Sequence, residues 1–307
     1  FSAGATFQQA RQELIAGRFD RAIASAERAI AAQPDMPEYR ILKGRAMLES
    51  DRLEQAEESF IDAVEAAGRS LALIDASVAA REEADGRALE GIARERIDLQ
   101  KRSVRRIEAE AWYYLGIVRQ QWNRIAEAAD DYRTAHRLDP QPIEYLIAAA
   151  EMLLDLGRPE EVDVLVEPVL DRHQGDPSLV VLLARAAMIR DEPVVAAARY
   201  AEARLLRPDD ALLTEEYIRA TFEAELYEDC LDAIRTHAAS YEQVRPDLLR
   251  IEARCHATLG RPVRADAIYR ELVRVAPGDA DAWVEYGAIA WELGDFSRLD
   301  LCGVRLQ

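Results

Sequence analysis

The sequence predicts an all-α protein assembled from a repeated pair of antiparallel helices, and three observations carry that prediction. The first is a recurrence of the same residue types about every 34 positions. The second is composition. Half of the 307 residues are hydrophobic but only 7% are aromatic, Gly and Pro number 14 and 12, and Ala, Leu, Arg and Glu dominate, as long helices require. The third is punctuation. Apolar residues at helical spacing fall into two stretches per period, separated by Gly17-Arg18, Gly157-Arg158-Pro159, Glu192-Pro193 or Gly260-Arg261-Pro262 and closed by Pro34, Pro140, Pro208 or Pro277.

The recurrence is clearest from Glu110 onward. Trp112, Leu115 and Gly116 are followed by Ala128, Tyr132, Ala135 and Pro140. Val180, Leu183 and Ala184 lead to Ala196, Tyr200, Ala203 and Pro208. Leu249, Glu252 and Ala253 lead to Ala265, Tyr269, Val273 and Pro277, and Trp283, Tyr286 and Gly287 open one more unit. Upstream, Gly44, Ala56, Phe60 and Ala63 match, as do Ala10, Ala22, Ala26, Ala29 and Pro34. Units start near 3, 37, 109, 143, 177, 211, 246 and 280; the unit at 211 is one residue longer than its neighbours. Small residues at 44, 116, 184, 253 and 287 stand where two helices must approach closely.

These residues resemble the tetratricopeptide repeat, in which W, LG, Y, A, F and P hold fixed places in a 34-residue helix pair. The resemblance covers nearly the whole chain; units 109 and 177 fit it well, and units 3, 143 and 211 are degenerate. It implies a right-handed superhelical solenoid of about eight units, in which neighbouring pairs share one apolar core. The expected organisation is two units over 1–70, a charged helical insert or degenerate repeat over 71–108, and six units over 109–307, the last incomplete. The insert, Leu71 to Glu108, is dense in both charges, from Arg81, Glu82 and Glu83 to Arg105 and Arg106. It reads as a worn helical pair or as one long helix running into the Trp112 helix, more exposed than the repeats and suited to an arm that spaces units or touches a partner.

Function classes narrow by charge and by missing motifs. Lys+Arg is 39 against Asp+Glu 57, a net charge of −18, which disfavours a phosphate backbone as partner. Basic residues are nearly all Arg, with Lys only at 43 and 101 and Asn only at 123, a usage that points to a GC-rich bacterial genome. The longest apolar run, Leu179 to Ile189, contains Arg185 and falls short of a membrane span of about 18 residues. Cys230, Cys255 and Cys302 make no disulfide framework and lean towards a reducing compartment, while cytoplasm and periplasm both remain open. The sequence shows no signal peptide, opens on Phe1 and stops at Gln307 inside the last unit, so a piece of a longer protein is expected. The four histidines, 136, 173, 237 and 256, make no H-E-x-x-H, and there is no phosphate loop or G-x-S-x-G. No catalytic, metal or cofactor site is assigned.

What remains is surface. In tetratricopeptide arrays the first helices line a concave groove that holds ligands. Carried over by register, the ninth place of each unit holds Arg11, Arg45, Ile117, Glu151, Arg185, Arg219, Arg254 and Ala288, five of eight being Arg. Second helices are acidic by contrast, with Glu54, Glu57, Glu58, Asp62 and Glu65 in one and Glu160, Glu161, Asp163 and Glu167 in another. Arg forks pair bidentately with carboxylates, so the expected ligand is an acidic, extended or helical peptide of a partner protein. Its expected contacts are Arg11, Arg45, Arg185, Arg219, Arg250 and Arg254, with Tyr113, Phe222 and Trp291 as apolar anchors. The competing role for these arginines is pairing with Glu215, Glu252 or other acids nearby. The Lys and Asn of the carboxylate clamp that reads chaperone tails are missing at the matching places. The resemblance points to a scaffold in a bacterial assembly such as envelope, pilus, polysaccharide export or secretion machinery. The alternative is a substrate-recruiting arm of an enzyme such as a glycosyltransferase. Leu299, Leu301, Val304 and Leu306 have no capping helix after them, from which self-association through the C-terminal end is expected.

Overall fold

The computed structural model describes residues 2–173, 176–240 and 245–305. Among them are sixteen α-helices, one 3₁₀ turn and no strand. The helices are α1 Ala3–Ile15, α2 Phe19–Ala32, α3 Pro37–Glu49, α4 Leu53–Asp85, α5 Gly91–Gln121, α6 Ile125–Leu138, α7 Ile143–Asp155 and α8 Pro159–Leu170. They continue as α9 Pro177–Ile189, α10 Pro193–Leu206, α11 Ala211–Glu223, α12 Tyr227–Ser240, α13 Pro246–Thr258, α14 Pro262–Val275, α15 Ala280–Glu292 and α16 Phe296–Arg305. The fold class is the predicted one, all-α and made of consecutive helix pairs. The chain divides into two compact units, Phe1–Glu161 and Val162–Gln307, with the division inside α8.

Turn chemistry sets the pairs. The fifteenth residue of every repeat lies in the left-handed region: Gly17, Asp51, Asn123, Gly157, Asp191, Glu225, Gly260 and Gly294, with φ between 58° and 70°. That residue reverses the chain. The next amide then reaches back to close the first helix, as in Arg18 N to Glu13 O at 2.8 Å and Arg52 N to Met47 O at 2.9 Å. Because all eight turns use the same place, the eight starts read from the sequence coincide with eight structural repeats. Regular first helices such as α1, α9 and α13 are 13 residues long; second helices α2, α6, α10 and α14 are 14.

Core packing explains the small residues. A Cβ added to Gly44 would sit 2.6 Å from the Phe60 ring, and one on Gly116 would sit 2.6 Å from the Tyr132 ring. Those aromatic rings are buried across the pair and leave no room for a methyl group. In the second unit Ala184 and Ala253 share clusters with Tyr200 and Tyr269, while Ile218, larger than Ala, shares a cluster with Ile234, which is smaller than Tyr and stands at the aromatic place. The volume is conserved while the identities change, which is how degenerate repeats keep packing.

Residues 71–108 belong to two long helices rather than to a separate pair. The 33-residue α4 and the 31-residue α5 run on past the length of their repeat partners and turn at Gly86, whose φ is 63°. No proline stop closes α4. Position 32 of the repeat is Pro34, Pro140, Pro208 and Pro277 in four units, whereas α4 has Gly68 there and continues through it. At about 1.5 Å per residue each helix extends roughly 27 Å beyond the repeat. Ile74 and Val78 are buried in the hairpin seam, Lys101 pairs with Asp75 across it, and the Glu82 carboxylate accepts the Leu89 amide at 2.9 Å.

Candidate functional site: the first-helix face

In the first unit the predicted residues are dispersed. Arg11 is exposed on α1 and makes no ion pair among the described residues. Arg45 on α3 lies 3.9 Å from Glu110 and covers the Tyr114 ring at 5.2 Å. Burial pushes the Glu110 carboxyl up, and Arg45 pulls it back. Tyr113 is half-buried in an aromatic cluster, 4.8 Å from Tyr145 and 5.5 Å from Tyr132 between ring centroids. Packing claims most of its surface. Beside this face Arg119 forks onto Asp131 at 2.8 and 2.9 Å and also reaches Glu57 and Glu127. Asp131 is buried, and desolvation lifts its carboxyl to about 7 against the pull of Arg119.

The second unit brings its predicted residues together, in a pattern that register alone did not reveal. Each first helix sends an arginine to an acid on the next first helix. Arg185 on α9 holds Glu216 of α11 through Nε at 3.0 Å and Nη2 at 2.6 Å. Arg219 on α11 reaches Asp247 of α13 at 3.6 Å. Arg250 on α13 binds Asp279, the cap of α15, and lies 3.7 Å from Glu285. Of the competing partners, the other acids nearby are used rather than Glu215 and Glu252. Glu215 points into the core, where it accepts from Arg245 at 2.7 Å and lies 3.7 Å from His237. Glu252 is largely desolvated, and its carboxyl is pushed up by burial. Glu216, Asp247, Asp279 and Glu285 are the nearby acids that sequence reasoning left unnamed; the signal was an acid at the cap or in the first two turns of each following first helix.

The Arg185 and Arg219 rungs are solvent-exposed on the arginine side, at 44% and 52% exposure, so each contributes only about 0.2–1 kcal/mol. A rung of that strength can exchange its carboxylate for one from a ligand at little cost. Arg254 differs. It makes no ion pair among the described residues, and its guanidinium lies 4.9 Å from the centroid of the half-buried Phe222 ring. Stacking restrains the exposed guanidinium. Trp291 is 66% exposed and makes an edge contact with Phe296 at 6.0 Å. The arrangement offers cationic forks beside apolar surface. Among the described residues no cluster of metal-ligating side chains occurs, and no helix is long and apolar enough to cross a membrane.

A fold of consecutive helix pairs joined by one recurring turn defines a repeat protein. Comparison with known proteins places it further. Family models described as tetratricopeptide repeat match residues 13–80 and 252–298. No curated protein matches the chain. Among solved structures, the chain is similar to the C-terminal part of a TPR repeat-containing protein from Cytophaga hutchinsonii, at 14% identity, 90% of this chain, 97% of that one and a TM-score of 0.58. It is also similar to a tetratricopeptide repeat protein from Parabacteroides merdae, at 12% identity, 88% and 91% coverage and a TM-score of 0.54. A third is YrrB, described as a TPR protein with an unusual peptide-binding site, at 14% identity, 70% and 91% coverage and a TM-score of 0.51. Two stretches of the chain thus match tetratricopeptide repeat models, and its fold is that of tetratricopeptide repeat proteins.

Proposed function

We propose that the chain is a non-catalytic protein-interaction scaffold that holds a peptide or helical segment of a partner, acidic in character, on the first-helix face of its second unit. The observation that carries this reading is Arg254, an arginine without an ion-pair partner among the described residues, stacked on Phe222 beside a run of weakly paired arginines. Arg254 supplies the fixed fork for a partner carboxylate, Arg185 and Arg219 supply exchangeable ones, and Trp291 supplies an exposed apolar contact. YrrB, similar in fold, has a peptide-binding site, which supports the class of ligand. The natural setting for such a scaffold is a multiprotein assembly. The test is fluorescence anisotropy with an acidic 12-residue peptide containing one central aliphatic residue. Arg254→Glu is expected to weaken binding at least tenfold and Arg185→Glu with Arg219→Glu about threefold, with helicity unchanged. Equal affinity for wild type and Arg254→Glu defeats the reading.

A further inference from the structure

The α4–α5 arm carries a second surface, independent of the first-helix face. Its two sides are chemically different, and the ion pair between Lys101 and Asp75 marks which is which. At 100° per residue, Lys101 shares its side of α5 with Arg94, which pairs with Asp98 at 3.6 Å. The same phase puts Leu73, Ala80 and Ala84 of α4 and Ile92, Arg96 and Leu99 of α5 on the opposite side, all exposed. Leu73, Ile92 and Leu99 are 59%, 74% and 63% exposed. Ile92 and Leu99 stand seven residues apart, the spacing of a helix–helix seam, and are flanked by Arg96 on one border and by Arg102 and Glu95 on the other. Neither arginine forms an ion pair among the described residues, and neither does Arg105. Residues 91–108 hold six basic residues against three acidic ones in a chain of net charge −18. The ordinary fate of arginine in this acidic protein is a carboxylate neighbour, and here two exposed arginines border an uncovered aliphatic stripe.

We infer that this side of the arm docks an amphipathic helix of a partner protein, three to five turns long, with an aliphatic stripe bordered by carboxylates. Charge selects that occupant. A second copy of the chain packed by the same side brings Arg96 against Arg96, whereas an acidic helix answers both flanking arginines. The small side chains of Ala80 and Ala84 allow the incoming helix to approach the α4 flank closely.

The test uses the full chain and a labelled 21-residue helical peptide with Leu at the seam positions of each heptad and Glu at the flanking ones, beside a twin with Lys for Glu. The expected result is saturable binding of the Glu peptide, weakened at least tenfold by Ile92→Asp with Leu99→Asp and by Arg96→Glu with Arg102→Glu. The second double variant is expected to bind the Lys twin instead, which separates charge recognition from misfolding. Arm binding is read in the Arg254→Glu chain as well, where the first-helix face no longer takes acidic peptides. Saturable binding that persists there and is lost on adding Ile92→Asp with Leu99→Asp belongs to the arm, so failure here is distinguishable from failure of the first-helix reading. Absence of saturable binding, or equal binding to wild type and Ile92→Asp with Leu99→Asp, overturns the inference. So does a concentration-dependent dimer in sedimentation that Leu99→Asp dissolves, since a second copy is then the occupant.

Discussion

The α4–α5 arm and the regular pair α9–α10 start from the same repeat and end as different objects. Both second helices begin just after a left-handed residue, Asp51 before α4 and Asp191 before α10. The 14-residue α10 is followed by Pro208; α4 meets Gly68 at that place and runs for 33 residues. In the regular pair, Ala184 packs in a shared core with Tyr200, and arginines lie on the first-helix face bridged to the next helix. In the arm the seam is thin, held by Ile74, Val78 and ion pairs, and aliphatic residues point outward. In this repeat the absence of the proline goes with the change from a packing element to a projecting one.

The largest effect expected from restoring the stop is Gly68→Pro. A proline inside a helix costs about 3 kcal/mol, so α4 should break there. Hydrogen exchange should accelerate over 69–108 while 176–240 keeps its protection; an arm as protected as before would mean that Gly68 does not set its length. Next come the close approaches. Gly44→Ala or Gly116→Ala drives a methyl group into an aromatic ring and should cost about 1–3 kcal/mol in denaturant unfolding. Gly287→Ala, whose new Cβ would meet Cys302 at 3.6 Å and Leu299 at 3.7 Å, should cost far less.

A third contrast is in pH. The Asp131 carboxyl in the first unit is raised from 3.8 to about 7, so its folded state holds the proton longer than the unfolded chain. Its contribution is fully present below pH 3.8 and is lost as pH rises through 7; Asp131→Asn should flatten that part of the profile. His256 in the second unit is displaced the other way, below 6.5, by burial and then by Arg264 and Arg261. Its contribution is present above pH 6.5 and is lost on acidification below that; His256→Gln should remove the loss. Unit-resolved hydrogen exchange from pH 4 to 8 reads both, and dependences of the same sign at the two sites would contradict the assignment. The smallest effect is at Glu225, the one turn that places neither Gly nor Asn/Asp at a left-handed φ, here 60°. Glu225→Gly should gain about 0.5–1 kcal/mol in a thermal or denaturant melt, and no gain would mean the turn is unstrained.

Much of this fold is readable from residues because repeat turns are local. Gly17, Gly157 and Gly260 announce left-handed turns, and the prolines announce helix ends. The arm was harder, since dense mixed charge masks helical phase, yet Gly68 in the proline place was the available signal. The site was legible only as a list of positions. Register puts Arg185 and Arg219 on first helices but does not say that Glu216 and Asp247 meet them, because that depends on how successive helices rotate. Nor does it foresee that Glu215, one residue from Glu216, turns inward to Arg245 and His237.

The central claim, recognition by the first-helix face of the second unit, is tested most directly by hydrogen exchange of the chain with and without the acidic peptide. Protection confined to the exposed sides of α9, α11, α13 and α15, lost in Arg254→Glu, is the predicted result. Protection on α10, α12 and α14 with the first helices unchanged would contradict it.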